Sequence, residues 1–325
     1  MRSLPSFSLI VAVFVLAQAG AAHAQANYPN RPIQLVVTVP PGGAADIIAR
    51  VIGAKLSDAL GQQVIINNRA GAGGTTAAAQ VAKSPADGYT LLLNTIATHG
   101  IGPHIYANLQ YDPVKDFEPV ILVAKLPLIM VVNAELPLRS VADVIALAKA
   151  KPGELTFSSS GAGGAPHLAG EMFKNFTGTT VQHIPYRGSG PAVIDLIAGR
   201  ITMMFDATPS LLPNITAGKL RPIAAASPQR HRLLPDVPSF AELGYPGMDI
   251  ALWYGVAVPG GTPAPIVQRL NAELARIVDM PEVRKNLSEQ GADLQGGSAE
   301  DFATFMRNES ARWGAVVTRA GIKPD

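Results

Sequence analysis

The sequence contains no cysteine. That excludes a disulfide framework, a Cys-ligated zinc or iron–sulfur site, a thiol nucleophile and a lipidated N-terminal cysteine. Charge is also scarce: Asp, Glu, Lys and Arg make up 15% of the chain, against about 25% in an average soluble protein. The 26 basic and 24 acidic residues nearly cancel, and no Lys/Arg run exists that would release counterions from phosphates, so no nucleic-acid partner is expected. Beyond the N-terminus, no apolar run of membrane-spanning length escapes a charge, proline or glycine. What the chain has is an ordinary 48% of apolar residues, enough for buried cores and too much for a disordered chain.

The N-terminus reads as a leader. Arg2 supplies a positive start, Phe7 to Gly20 is almost wholly apolar, and Ala22-His23-Ala24 gives the small-x-small pattern of a signal-peptidase site. The expected product begins near Gln25 as a soluble periplasmic protein. At ~150 residues per domain, the remainder predicts two domains.

Ile33 to Val39 is a β-branched apolar run of the kind buried on both faces of a sheet. Pro40-Pro41-Gly42-Gly43 breaks it, and helical spacing follows from Asp46 to Leu60. A strand over 64–67, a glycine loop, a helix over 75–83 and a strand over 89–93 continue the alternation. The same rhythm returns, with strands at 128–133, 155–158, 181–184, 201–205 and 221–226 and helices at 141–150, 166–176 and 191–198. From Pro263 onward the pattern is helical. This is an α/β chain with two similar βα assemblies. A helical tail with no sheet of its own must pack on an existing lobe. The economical division makes 1–24 the leader, 25–126 plus 252–325 a discontinuous first lobe, and 127–251 the second, joined by two hinge strands. Consecutive domains would also satisfy the pattern.

Glycine-rich loops precede helices four times, at Gly42-Gly43, Gly71 to Gly74, Gly161 to Gly164 and Gly188 to Gly190, two in each expected lobe. Glycine admits a ligand close to the backbone, and the first turn of a helix leaves its N–H groups unpaired. Such starts bind anions without a cationic side chain. In open α/β sheets these loops lie at the ligand crevice, so two lobes carrying them could close around one small anion. Neither Gly71-Ala72-Gly73-Gly74 nor Gly161-Ala162-Gly163-Gly164 completes G-x-G-x-x-G, and no phosphate-binding G-x-x-x-x-G-K-[ST] is present. A carboxylate fits better than a nucleotide.

His167 and Glu171 stand four apart on a helix, but no third metal ligand accompanies them, and a polar contact within the first turn is the better role for His167. Ser158, Ser159, Ser160, Ser189 and Ser210 are nucleophile candidates without a G-x-S-x-G elbow, better suited to capping helices or donating to a ligand. Asp46 is either the N-cap of its helix or a ligand acceptor. Arg69 and Arg187 either grip a carboxylate or brace their loops, with bracing preferred for Arg69. Asp206 caps a loop or touches ligand. Trp253 and Tyr254 read as core near the hinge.

The chain resembles the Bug (Bordetella uptake gene) or TctC-like periplasmic solute-binding receptors. The resemblance rests on Pro41-Gly42-Gly43 with Asp46, on Asn68-Arg69 with Gly71, Gly73 and Gly74, on Pro85 with Asp87-Gly88-Tyr89, and on Tyr111-Asp112-Pro113. It continues through Gly161, Gly163-Gly164 and His167-Leu168-Ala169, Pro185-Tyr186-Arg187-Gly188-Ser189-Gly190-Pro191, Leu234-Pro235-Asp236-Val237-Pro238 and Pro259-Gly260-Gly261-Thr262-Pro263. It implies a type II periplasmic binding protein fold, a monomeric, cofactor-free and non-enzymatic receptor for a small mono- or dicarboxylate or amino acid, and membrane permease subunits of a tripartite tricarboxylate-type transporter as partners. Carried over residue by residue, it implies ligand contacts at Pro41, Gly42, Gly43, Ala44, Asp46, Gly73, Thr95 and Thr98. In the second lobe it implies Gly161, Gly163, Gly164, Ala165, His167, Arg187, Gly188, Ser189 and Asp206. Ala45 and Gly164 depart from the family pattern, which usually has hydroxyl residues there, so no particular ligand transfers. A receptor serving a signalling system and a secreted serine hydrolase are the rival readings.

Overall fold

The structure, a computed structural model, describes residues 28–320; the expected leader lies outside the described residues. Strand β1 (Ile33–Val37) is flanked in parallel by β2 (Val64–Asn68) and β3 (Thr90–Thr95). Helix α1 (Ala44–Leu60) connects β1 to β2 and buries Ile48, Ile52, Leu56 and Leu60 at helical spacing against the sheet. It ends at Gly61, whose φ of 64° supplies the left-handed turn that stops a helix. Helix α2 (Thr75–Ala82) leads to β3, and α3 (Gly102–Ile105) follows β3 after a π-helical turn over Ile96–Ile101.

The chain then runs through β4 (Phe117–Asn133), a 17-residue strand shared by two sheets. Residues 117–127 pair antiparallel with β9 (Ala251–Pro259), which joins β3 and completes the first sheet. From Leu128 the same strand pairs with β7 (Met203–Ala207) on one side and β8 (Leu220–Ala226) on the other. β5 (Thr156–Ser159) and β6 (Gln182–Pro185) extend this second sheet in parallel. Its helices are α4 (Val141–Ala150), α5 (Ala165–Thr177), α6 (Ser189–Ile197) and α7 (Thr208–Thr216). The result is a two-lobed α/β molecule of the periplasmic binding protein kind.

The sequence pattern marks only 128–133 of β4, because Pro119, Lys125 and Pro127 interrupt the run. Proline is tolerated where the ladder shifts register, as it does between Pro119 and Ile121. β9 and the short β10 (Asp293–Gly296), which pairs with β4, are likewise unmarked in the periodicity.

The helical tail packs back on the first sheet. α8 (Ala264–Asp279) buries Ile266, Leu270, Leu274 and Ile277, α9 (Pro281–Ser288) follows, and α10 (Ala299–Ala320) crosses β4 and the π-helical turn. Trp253 of β9 and Trp313 of α10, both fully buried, donate their indole N–H groups to the same oxygen of Glu309, at 3.0 and 2.9 Å. One carboxylate thus fastens the tail to the sheet.

Candidate functional site

A cavity of about 590 Å³ lies between the two sheets, within the range of small-molecule sites. Helix starts from both lobes border it: Gly43 to Ala45 at α1, Thr95 to Ala97 at the π-helical turn, Gly164 to Pro166 at α5, Gly188 to Gly190 at α6, and Pro209-Ser210 at α7. First-turn N–H groups have no partner inside their own helix, so the wall is rich in free donors. The only charged side chains on that wall are Arg187, exposed and without an ion pair among the described residues, and Asp206. Pro40, Pro191, Ile194 and Leu252 supply apolar surface.

The starts of α1 and α5 are built alike. Gly42 and Gly163 have φ of 89° and 73°, a conformation open to glycine. Gly43 and Gly164 then serve as N-caps at φ,ψ of −87°,173° and −85°,169°. The N–H of Gly42 donates to Asp46 Oδ2 at 3.0 Å, and the N–H of Gly163 donates to His167 Nδ1 at 3.0 Å. In each lobe a side chain one turn into the helix therefore reaches back and fixes the loop. Asp46 and His167 sit behind the wall.

For Asp46 this replaces the expected N-cap role, which Gly43 holds instead. Asp46 is buried and also accepts from Arg50 Nε and Asn68 Nδ2, each at 3.0 Å. Burial works to raise its pKa, but the hydrogen bonds from Arg50, Gly42 and Asn68 prevail and hold it below the ordinary 3.8. Asp46→Ala is expected to cost about 1–3 kcal/mol by orphaning loop donors, measured by urea denaturation at pH 7. Because the folded pKa is depressed, that contribution is complete above pH ~4 and fades as pH falls through the folded value.

The ring of His167 lies on that of His183, centroids 3.8 Å apart. Burial, with the nearby His167 and Lys174 charges, pushes His183 down to about 3. Its Nε2 meets Ser159 Oγ at 2.7 Å, but Ser159 is buried and outside the cavity wall. Ser160, Ser189 and Ser210 do line the cavity, and no histidine lies among the lining residues. Among the described residues no cluster of three or more His, Asp or Glu is placed to hold a metal.

Of the residues singled out in the sequence, the cavity brings together Pro41, Gly42, Gly43, Ala44, Thr95 and Gly164. Ala165, Arg187, Gly188, Ser189 and Asp206 are there too. Thr98 is fully buried in a reciprocal cap with Thr95, its Oγ1 accepting from the Thr95 N–H at 3.0 Å. Gly161 ties back to Ser159 Oγ, and Gly163 faces the first lobe, where a Cβ would stand 3.4 Å from the Tyr106 hydroxyl.

The Gly71 to Gly74 loop departs from the expected convergence. A Cβ on Gly74 would fall 2.6 Å from Thr38 Cβ, so this glycine serves tight packing onto β1's end, and Gly73 borders Tyr106 away from the cavity. Arg69 braces its loop, as preferred from the sequence, through the neutral Gln80 Oε1 at 2.9 Å. The start taking this loop's place is α7. Thr208-Pro209 carries the signature of proline in a first turn, obscured in sequence by Pro213 further along. Tyr254, buried as expected of core, also lines the cavity.

The chain has known relatives along most of its length. The family model described as "Tripartite tricarboxylate transporter family receptor" matches residues 48–322. The chain is 39% identical to protein BugT of Bordetella pertussis over 316 residues, 97% of each chain. Among solved structures it is similar to R. palustris Rpa4515 with adipate, at a TM-score of 0.88 and 40% identity, over 92% of this chain and all of that one. It is also similar to MatC from Rhodopseudomonas palustris with bound malate, at a TM-score of 0.84 and 32% identity, over 89% of this chain and all of that one. On a cavity walled by helix starts from two lobes and a match along nearly its whole length, the chain belongs to the TctC family of solute-binding receptors.

Proposed function

We propose that this receptor captures a small organic carboxylate with an apolar body and presents it to permease subunits of a tripartite tricarboxylate-type transporter. The observation carrying the ligand class is the composition of the wall: helix starts from both lobes around a cavity with a single cationic side chain. Peptide dipoles supply the positive potential, so a carboxylate is held without a dedicated ion pair. Pro40, Pro191, Ile194 and Leu252 would cover the carbon chain behind it. The adipate and malate held by the two similar structures support the class. Gly42, Gly43, Ala44, Gly164, Ala165, Gly188 and Ser189 are the proposed contacts. Lobes divided at 126/127 and 251/252 would move about the β4–β9 crossover, and the chain would act in the periplasm after losing its leader.

Thermal-shift screening against aliphatic and aromatic mono- and dicarboxylates and amino acids tests the reading. Acids are expected to raise the melting temperature, and their amides to leave it unchanged. A broad panel in which no acid stabilises the protein would overturn it. Mass spectrometry of small molecules released from the purified protein would then name the ligand.

A further inference from the structure

Asp206 is an unusual feature in a cavity built for an anion. It is the penultimate residue of β7, is 2% exposed and lines the wall. Its Oδ1 accepts from the Ala207 N–H at 2.8 Å, whereas Oδ2 is buried without a hydrogen bond. Ser189, at the start of α6, faces this carboxyl without an aligned bond to Oδ2. Across the strand pair stands Ile129 of β4, which is apolar. From β9 comes the buried Tyr254, whose own ionisation the Asp206 charge opposes. Arg187 is the one cation on the wall and it is solvent-exposed. An ionised Asp206 would therefore be a buried charge without a counter-ion, beside donors that await a second negative group.

A proton resolves the conflict. We propose, resting on the carboxylate reading above, that ligand capture is coupled to protonation of Asp206, one proton being taken from solvent for each carboxylate bound. With Asp206 neutral, its O–H can donate to Ser189 Oγ, which frees the Ser189 proton to point at the ligand. With Asp206 ionised, Ser189 donates to it and turns a lone pair toward the cavity. The neutral carboxyl removes a repulsion and adds a donor in one step.

Burial already raises the Asp206 pKa to about 6, against the lowering pull of Ser189 and the Ala207 amide. An anion beside it would raise that value further. Tyr254 is pushed above its ordinary range. His167, which accepts from the Gly163 N–H behind the α5 start, is a further titratable group whose effect the variant separates from that of Asp206.

The test is calorimetric titration with adipate, doubly ionised throughout, between pH 6.5 and 8.5 in buffers of different ionisation enthalpy. The expected result is a dissociation constant at least tenfold weaker at pH 8.5, with net proton uptake approaching one per adipate. Asp206→Asn should abolish both the pH slope and the uptake and bind adipate more tightly than the natural protein at pH 8.5. A flat profile with no uptake in the natural protein, adipate still bound, overturns the coupling and leaves the carboxylate reading intact. A slope that survives in Asp206→Asn, or a variant that binds more weakly at pH 8.5, also overturns it. Absence of binding by adipate and by every acid in the panel overturns both readings. A ligand-free readout needs no probe: melting temperatures of Asp206→Asn and the natural protein should agree at pH 4 and separate at pH 8, with the variant higher. Equal values at pH 8 would count against a buried carboxyl that titrates near neutrality.

Discussion

Gly43→Asp is expected to weaken carboxylate binding by more than a hundredfold while leaving the protein folded. The backbone at Gly43 is extended, open to any residue, and a Cβ there meets nothing within 4 Å. Aspartate is a favoured N-cap, worth only a few tenths of a kcal/mol over glycine, so stability should barely change. The introduced carboxylate would take the first-turn amides of α1 and repel an incoming acid. At about 5 Å and an effective dielectric near 20, that repulsion is roughly 3 kcal/mol, or two powers of ten in affinity. Gly164→Asp should do the same from the other lobe, since its backbone is equivalent and its nearest contact, the Gly161 carbonyl oxygen at 3.5 Å, is ordinary. Gly43→Ala, which blocks no amide, is the control. Calorimetry with adipate beside a thermal melt separates the two effects. Binding within threefold of the natural protein in both Asp variants would refute the role of the helix starts.

The largest effect on stability is expected at Glu309. Its Oε2 is the shared acceptor of two buried indoles, and its other oxygen accepts from Arg312 at 3.3 Å. Glu309→Ala strands both Trp N–H groups away from water, each at about 1–3 kcal/mol, giving a total on the order of 2–6 kcal/mol. Glu309→Gln keeps an amide oxygen in place and should recover most of the loss. Urea denaturation followed by tryptophan fluorescence measures both variants. An alanine variant within 1 kcal/mol of the natural protein would show that the indoles find other partners.

Much of this molecule is legible in its sequence, for physical reasons. The parallel strands around Ile33 to Val37 are buried on both faces and so carry continuous β-branched runs. Helices such as α1 and α8 announce themselves by the 3.6-residue spacing of their buried stripe. β4 and β9 are harder: they run antiparallel between lobes, and β4 carries Pro119 at a shift in the pairing with Lys125 and Pro127 further along. Lys125 lies over the Phe305 ring at 4.3 Å, which its position in the sequence does not reveal. Glycine loops mark helix starts faithfully but do not record where they face. Gly43 and Gly74 look alike in sequence, yet one has open space around it and the other lies against Thr38. Only the three-dimensional arrangement sorts them. For Asp46 and His167 the family resemblance implies ligand contact, whereas the residues themselves read as an N-cap or ligand acceptor and as a polar contact within the first turn; hydrogen bonds from the Gly42 and Gly163 N–H groups give both a part in loop support.

The duplicated Gly-Gly-Ala start has a consequence for how such a receptor changes over generations. On the proposed reading, the grip on the acid group would be written in main chain, which most substitutions leave untouched. Exchanges of side chains further along the wall, such as Ser210, Asn214 and Ile194, would then alter which carbon skeleton fits without loosening the hold on its head. One scaffold can thereby be retargeted through many substrates, keeping its anchor while its selectivity is rewritten.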